Sequence, residues 1–441
     1  MCHYTLYCLF HIVLAPLLAL RSALRAGRRD YARSWWLRLS GGSRPPHAGP
    51  WTVFLAPHIG EAKVAARLAR SVSELGEGNI VVLATVDSAV HAIQDTWTSG
   101  AAPFNNPIAC LLFLRRWHPR AIVAIGSCDI PHLTALCALL GVPVVVLNTA
   151  LTESQAAGIV RHGMRRWRWQ TAALYATPTQ AIADRLMRLG VPSQNVLVTG
   201  PLGSWPEPKG VDDATRQLWK KRLGLSPLDG PIVLAGSTHA EDEEMILPAF
   251  ELLRRCVPNA VLVIAPRRPD RISALLHRLV AAGASYKLRS QPDTPLPAGR
   301  VIVLDTYGEL EHLYAIADVA HVGGTFSIAL GGHTPAEALA YSVPITVGPH
   351  YEQQHATIEP LLSDGVARRT CNARELSHAW EALLQDPSVR ERVGISYARI
   401  RSLEGNALRE VWQQVQAILT AASGSAVASD ALPTSHHHSL R

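Results

Sequence analysis

The sequence predicts an α/β protein made of two doubly wound, parallel-sheet domains that face a cleft, preceded by an N-terminal membrane-associated helix. Three observations predict it. The chain has 441 residues, more than one ordinary domain of roughly 100–200 residues holds. Short apolar, β-branched runs alternate with stretches of helical spacing, the pattern of parallel strands covered on both faces. A Pro/Gly-rich stretch, PLGSWPEPKG (201–210), interrupts that alternation near the middle. Composition agrees: 48% hydrophobic and 17% charged residues describe a chain that buries large cores and is not disordered. Lys plus Arg is 42 against 35 Asp plus Glu, a net +7 that favours anionic partners. The seven cysteines are odd in number and form no C-x-x-C pair. They argue against a disulfide framework or a zinc ribbon and fit a reducing compartment.

The elements follow in order. Tyr4 to Leu20 is almost wholly apolar, and Arg21, Arg25, Arg28, Arg29, Arg33 and Arg38 come after it, with Trp35 and Trp36 among them. A secretory signal puts its charges before the apolar run. The positive-inside rule keeps this arginine-rich flank in the cytoplasm, and arginine beside tryptophan suits anionic headgroups. A buried first helix of the globular domain is the alternative reading. We assign 1–40 to this anchor and basic segment. The first domain, 41–205, carries strands at TVFLAP (52–57), NIVVLATV (79–86), AIVAIG (121–126), VPVVVLN (142–148), AALYATP (172–178) and NVLVTG (195–200). The second, 206–420, carries PIVLAGS (231–237), AVLVIAP (260–266), RVIVLDT (300–306), ADVAHVGG (317–324) and VPITVGP (343–349). A helix over about 387–420 is long enough to return to the first domain. The Ala/Ser-rich end, 421–441, with its SHHHSLR, reads as a disordered tail.

In such sheets ligands sit beyond the carboxyl ends of the strands. The second domain has four strand ends rich in small and polar residues. In GSTHAEDEE (236–244), Ser237 and Thr238 can cap the next helix or, with free amides, hold a phosphate. The acidic run 241–244 suits the first turns of that helix. In APRRPDR (265–271), Pro266 and Arg267 close a strand where a guanidinium suits phosphate. In DTYGELEHLY (305–314), Gly308 permits close backbone approach beside Tyr307 and Glu309. In GGHTPAEALA (331–340), Thr334 caps a helix with Pro335 and Ala336 in its first turn, and Glu337 can accept from ribose hydroxyls. His333 and Glu337 are four apart, a metal-like spacing with no third ligand in sight. In the first domain, Glu61 follows the first strand in APHIGEAK (56–63). It is either a dipole-complementing residue or a general base facing the cleft. No P-loop and no G-x-G-x-x-G occurs.

In these motifs the chain resembles the 3-deoxy-D-manno-octulosonic acid (Kdo) transferases of lipopolysaccharide synthesis. GSTHAEDE, IAPRRPDR, DTYGEL and GGHTPAE stand in the family's order and spacing. The resemblance implies a GT-B fold and an inverting transfer of Kdo from CMP-Kdo to a lipid A precursor, a phosphorylated glucosamine disaccharide lipid. It implies no cofactor and no metal, no nucleic-acid partner, contact with anionic inner-membrane lipid, and a place on the cytoplasmic face of the cell inner membrane. It implies that Glu61 is the general base, and that Pro266, Arg267, Tyr307, Gly308, Glu309 and the segment Thr334, Pro335, Ala336 and Glu337 bind CMP. Ser237 and Thr238 join the donor site as the anion-binding turn read above, with His333 in support. The acceptor half departs from the family. Where the family has Glu-Thr-Glu-x-Trp-Pro, this chain has Gly126, Ser127, Cys128, Asp129, Ile130 and Pro131, so that Asp129 is left as a partial substitute. Where it has Gly-Asn-x-Lys, this chain has Gly200, Pro201, Leu202 and Gly203, without the lysine. Those departures keep two alternatives open: a paralogous GT-B transferase with another acceptor, and a non-catalytic nucleotide-sugar-binding paralogue.

Overall fold

The computed structural model describes residues 35–429 apart from 92, 94–96, 127–129, 163–165, 227 and 292–293. The N-terminal apolar run, Asp129 and the last twelve residues of the tail lie outside the described residues. Among the described residues, no helix is long and apolar enough to cross a membrane.

The chain divides into two compact units. One comprises the chain up to Ser204 and again from Leu403; the other is Trp205–Ser402. The first unit is built on a seven-stranded parallel sheet: β1 (Trp51–Ala56), β2 (Ile80–Ala84), β3 (Ser99–Ala101), β4 (Pro119–Ile125), β5 (Val144–Leu147), β6 (Leu174–Thr177) and β7 (Val196–Val198). Their order is β3-β2-β1-β4-β5-β6-β7. The second unit repeats the plan with β8 (Ile232–Thr238), β9 (Val261–Pro266), β10 (Tyr286–Leu288), β11 (Val301–Val303), β12 (Val319–Val322), β13 (Ile345–Val347) and β14 (Ala367–Arg369). Their order is β10-β11-β9-β8-β12-β13-β14, also all parallel.

The inner strands are mostly apolar because helices cover both faces; β1 and β2 are buried throughout. Each sheet therefore carries two cores. In the first unit, Val53, Ile122 and Phe113 pack on one face, and Phe54, Val123 and Leu68 on the other. The long helix Val389–Ser429 contributes to both units. Val393 and Tyr397 belong to a core of the second. Leu408, Val411, Trp412 and Val415 belong to a core of the first. That helix runs on to Ser429, past the point where the sequence reading ends it.

Three strands escape the sequence reading, and all three lie at sheet edges: β3, β10 and β14. Each has three residues, with Gly100, Lys287 or two arginines in it. An edge strand has one neighbour, so it needs neither length nor a continuous apolar run.

Strand order reverses direction once in each sheet: between β1 and β4, and between β8 and β12. At such switch points the chain leaves adjacent strands in opposite directions and opens a crevice at their carboxyl ends. The turn holding Glu61 follows β1, and the turn 323–335 follows β12.

Candidate functional site

In the second unit, a cavity of about 150 Å³ opens at the carboxyl ends of β8, β9 and β11. Ser237, Pro266, Arg267, Tyr307 and Gly308 line it, together with Asp305 and Thr306. Five of the residues expected at the donor site are thus brought together by the strand ends, although they are up to seventy residues apart in sequence. Ser237 adopts a left-handed φ of 56°. This bends the end of β8 at a register shift against β9, where Thr238 pairs with Pro266. The backbone N–H of Arg267 then donates to the Thr238 carbonyl at 3.0 Å. The Arg267 side chain is exposed, and among the described residues no carboxylate pairs with it. A guanidinium left unpaired at a strand end is chemically an anion receptor.

The loop after β11 is braced from the sheet edge. Tyr307 is 82% exposed, and Gly308 takes a φ of +79°, which only glycine adopts without strain. Glu309 is held by Arg289 at 2.8 Å and by the Thr306 hydroxyl. The Ser290 N–H and hydroxyl donate to Asp305. Arg289 and Ser290 directly follow β10, so the short edge strand fixes the rim of the cavity. The Glu309 carboxylate is therefore a loop brace in this structure, a role that the sequence leaves invisible.

The GSTHAEDEE turn differs from the simple capping picture. The helix Ala240–Cys256 is capped by His239, not by Ser237 or Thr238. Thr238 is buried and its hydroxyl faces Glu243 at 3.4 Å. Asp242 and Glu243 are fully buried, so they are more than complements to the helix dipole. Asp242 accepts the N–H of His239 at 2.8 Å, of Gly324 at 2.7 Å and of Phe326 at 3.1 Å. It ties the loop after β12 to the helix that follows β8, across the switch point. Burial alone would raise its carboxyl; the facing His321 and the loop amides outweigh that and hold it below the usual carboxylate range. Burial raises Glu243, against the opposing pull of Arg271, which pairs with it at 2.9 Å.

Thr334 to Glu337 lies on the other side of β8 and does not line the cavity. Thr334 is exposed and its hydroxyl accepts the Ala336 N–H at 3.3 Å, while Pro335 and Ala336 are buried. Glu337 stands in the first turn of the short helix Ala336–Ala340, half-buried, near the buried Tyr314. Burial first, then the Glu337 charge, pushes that phenol up. Tyr314 sits hard against Gly236, where any Cβ would collide with its oxygen. His333 makes no pair with Glu337; its Nε2 meets the His239 Nε2 at 2.9 Å. Among the described residues, no group of three or more His, Cys, Asp or Glu could hold a metal ion.

Glu61 belongs to the first unit. It stands in the first turn of the helix Ile59–Glu74, half-buried. Its side chain lies over Gly126 at the end of β4, where a Cβ would stand 3.7 Å from its Cγ. Gly126 has φ +77°, a left-handed conformation that glycine adopts without strain. Among the described residues, no cation pairs with Glu61.

A family profile described as 3-Deoxy-D-manno-octulosonic-acid transferase (kdotransferase) matches residues 33–203. The 3-deoxy-D-manno-octulosonic acid transferase of Haemophilus influenzae is 29% identical over 66% of this chain and 68% of its own. That of Chlamydia muridarum is 29% identical over 82% and 84%. Residues 33–203 thus carry the pattern of the Kdo transferase family, and most of the chain is similar to its members. Its fold also matches a glycosyltransferase from Rickettsia africae with a TM-score of 0.59 at 10% identity, over 85% of this chain and 99% of that one. That likeness shows a GT-B-like fold. The family profile covers the unit that holds Glu61, while the cavity beside Arg267 lies in the other.

Proposed function

We propose that the protein is an inverting glycosyltransferase that moves Kdo from CMP-Kdo to a lipid A precursor in lipopolysaccharide biosynthesis. The observation that carries this reading is the cavity at the ends of β8, β9 and β11, with Arg267, unpaired among the described residues, at its edge, in a chain similar to the Kdo transferases. Arg267 and the turn amides at Ser237 and Thr238 take the phosphate. The loop Tyr307, Gly308 and Glu309 takes the cytidine, with the segment from Thr334 to Glu337 completing the donor site. Glu61 accepts the proton of the acceptor hydroxyl as its oxygen bonds to the anomeric carbon. The bond from that carbon to the phosphate oxygen breaks, and its electron pair leaves on cytidine monophosphate. A phosphate monoester is a stable leaving group, and Arg267 with helix-end amides neutralises its charge. We therefore propose that no metal is required. A chelator should leave the rate within about twofold, since no step draws on a Lewis acid.

The test is release of cytidine monophosphate from CMP-Kdo and lipid A precursor by the purified protein. Turnover supports the reading. A second reading has its own observation: the family's glutamates and lysine are replaced at Gly126 to Pro131 and Gly200 to Gly203. Transfer only to another acceptor would establish that reading. Tight donor binding without any turnover would establish a non-catalytic role. The apolar run at Tyr4 to Leu20 and the arginines from Arg21 to Arg33 support a place on the cytoplasmic face of the inner membrane, in contact with anionic lipid, whereas Arg38 is buried and paired with Asp87. Flotation with vesicles containing an anionic phospholipid tests this, and failure to float with them overturns it.

A further inference from the structure

His239 and His333 are ninety-four residues apart in sequence, yet their Nε2 atoms lie 2.9 Å apart and their rings stack with centroids at 5.2 Å and planes at 25°. At that separation one Nε2 must donate and the other accept. The pair therefore holds together with both rings neutral, or with one proton added at an outward nitrogen, but not with both rings charged. Its place is specific. His239 follows Thr238 and caps the helix after β8, while His333 precedes Thr334 in the loop after β12. The pair thus spans the β8/β12 switch point, joining the anion-binding turn to the segment of Thr334 and Glu337.

The charges facing the pair come from every element around it. Asp242 and Glu241 stand on the helix that His239 caps; Arg267 and Arg271 follow β9. Asp242 is already engaged by three backbone amides, and Glu241 takes the Ser327 hydroxyl at 3.1 Å. Glu352 approaches the same loop at Gly331. Burial, then the neighbouring ring and Arg267, hold His333 down at about 4; burial also lowers His239. Burial and the nearby Arg267 guanidinium thus disfavour a positive charge on the pair.

We propose that the His239–His333 pair is an inducible cationic part of the anion site: it takes up a proton when a phosphate-bearing ligand binds beside Arg267. The ligand's negative charge cancels the guanidinium that disfavours protonation and adds an attraction for it. Binding and protonation are then reciprocally coupled. The proton comes from solvent and is shared within the pair, and it leaves with the ligand. This rests on the donor-site reading of the cavity.

Calorimetry of the full chain with cytidine monophosphate tests it, at pH 6.0 and pH 8.5, in buffers of different ionisation enthalpy. The heats report protons taken up per ligand bound. The wild type should take up more than His333→Asn or His239→Gln, by about half a proton at pH 6. The phosphate's own second ionisation is common to all three and cancels in the difference. Each variant should bind about tenfold more weakly than the wild type at pH 6, and within about threefold at pH 8.5. Thermal melts establish that both variants fold. Equal proton uptake by wild type and both folded variants overturns the proposal while leaving the donor site intact. Absence of nucleotide binding by the wild type overturns the donor-site reading itself. Inorganic phosphate as the probe separates the two parts of the ligand: uptake with phosphate alone places the coupling at the phosphate, and uptake absent with both probes refutes it.

Discussion

At the scale of single residues, two carboxylates argue in opposite directions. Glu61 is half-buried beside Gly126, and among the described residues no cation pairs with it. Glu61→Gln removes the proton acceptor and keeps the shape. Turnover should fall by about 10³-fold or more, while cytidine monophosphate affinity changes less than about twofold. Steady-state rates and calorimetry on one preparation check both halves. Asp242 is instead wholly buried and satisfied by three backbone N–H groups. Asp242→Asn turns one acceptor into a donor facing donors, and should cost about 2–4 kcal/mol in denaturant unfolding. The sign with pH follows from its lowered folded-state pKa. The stabilisation is present above the ordinary carboxylate value of about 3.9 and is lost as pH falls through the lower folded value. The gap between wild type and variant should therefore stay constant from pH 8 to pH 5 and close below about pH 4. A gap that narrowed on raising the pH would mean that another group carries the effect.

At the scale of elements, the edge strand β10 decides how the cavity rim is held. Arg289 leaves that strand and pins Glu309, and Ser290 pins Asp305. Arg289→Ala should loosen the loop of Tyr307 and Gly308 and weaken cytidine monophosphate binding by about tenfold. The melting temperature should drop little, since Arg289 contributes to no core. Comparable losses of affinity and of melting temperature would show a structural role instead. This element also marks the limit of what the sequence discloses. Inner strands such as β1 and β9 are legible because burial on both faces makes them a nearly continuous apolar run. Strand-end residues such as Arg267 and Gly308 are legible because the end of a strand and the start of a helix are local signals. Lys287 in β10 and the arginines of β14 conceal their strands, since an edge tolerates polar residues. The role of Asp242 is concealed differently. Its partners at Gly324 and Phe326 are more than eighty residues away, and no local pattern separates a dipole-complementing acid from one that stitches two loops. His239 and His333 find each other by the same non-local route.

At the scale of the whole molecule, one helix serves two cores, and its stability contributions are separable. Val393 and Tyr397 pack in the second unit; Leu408, Val411, Trp412 and Val415 pack in the first. Trp412 is 2% exposed, and among the described residues its indole Nε1 has no hydrogen-bond partner. Its value is therefore apolar contact, offset by an unsatisfied donor. Trp412→Ala empties a large volume and should destabilise the first unit by about 3–5 kcal/mol. Trp412→Phe keeps most of the contact and removes the unpaired N–H, so it should cost less than about 1.5 kcal/mol. Scanning calorimetry reads where the loss falls. With Trp412→Ala, the transition of the unit that includes Glu61 should move down, and the transition protected by cytidine monophosphate should stay in place. If both transitions fell together, the two units would unfold as one cooperative body and the helix would be their common element. If Trp412→Phe were as damaging as Trp412→Ala, the indole nitrogen would have a partner after all, and the packing account of this helix would fail.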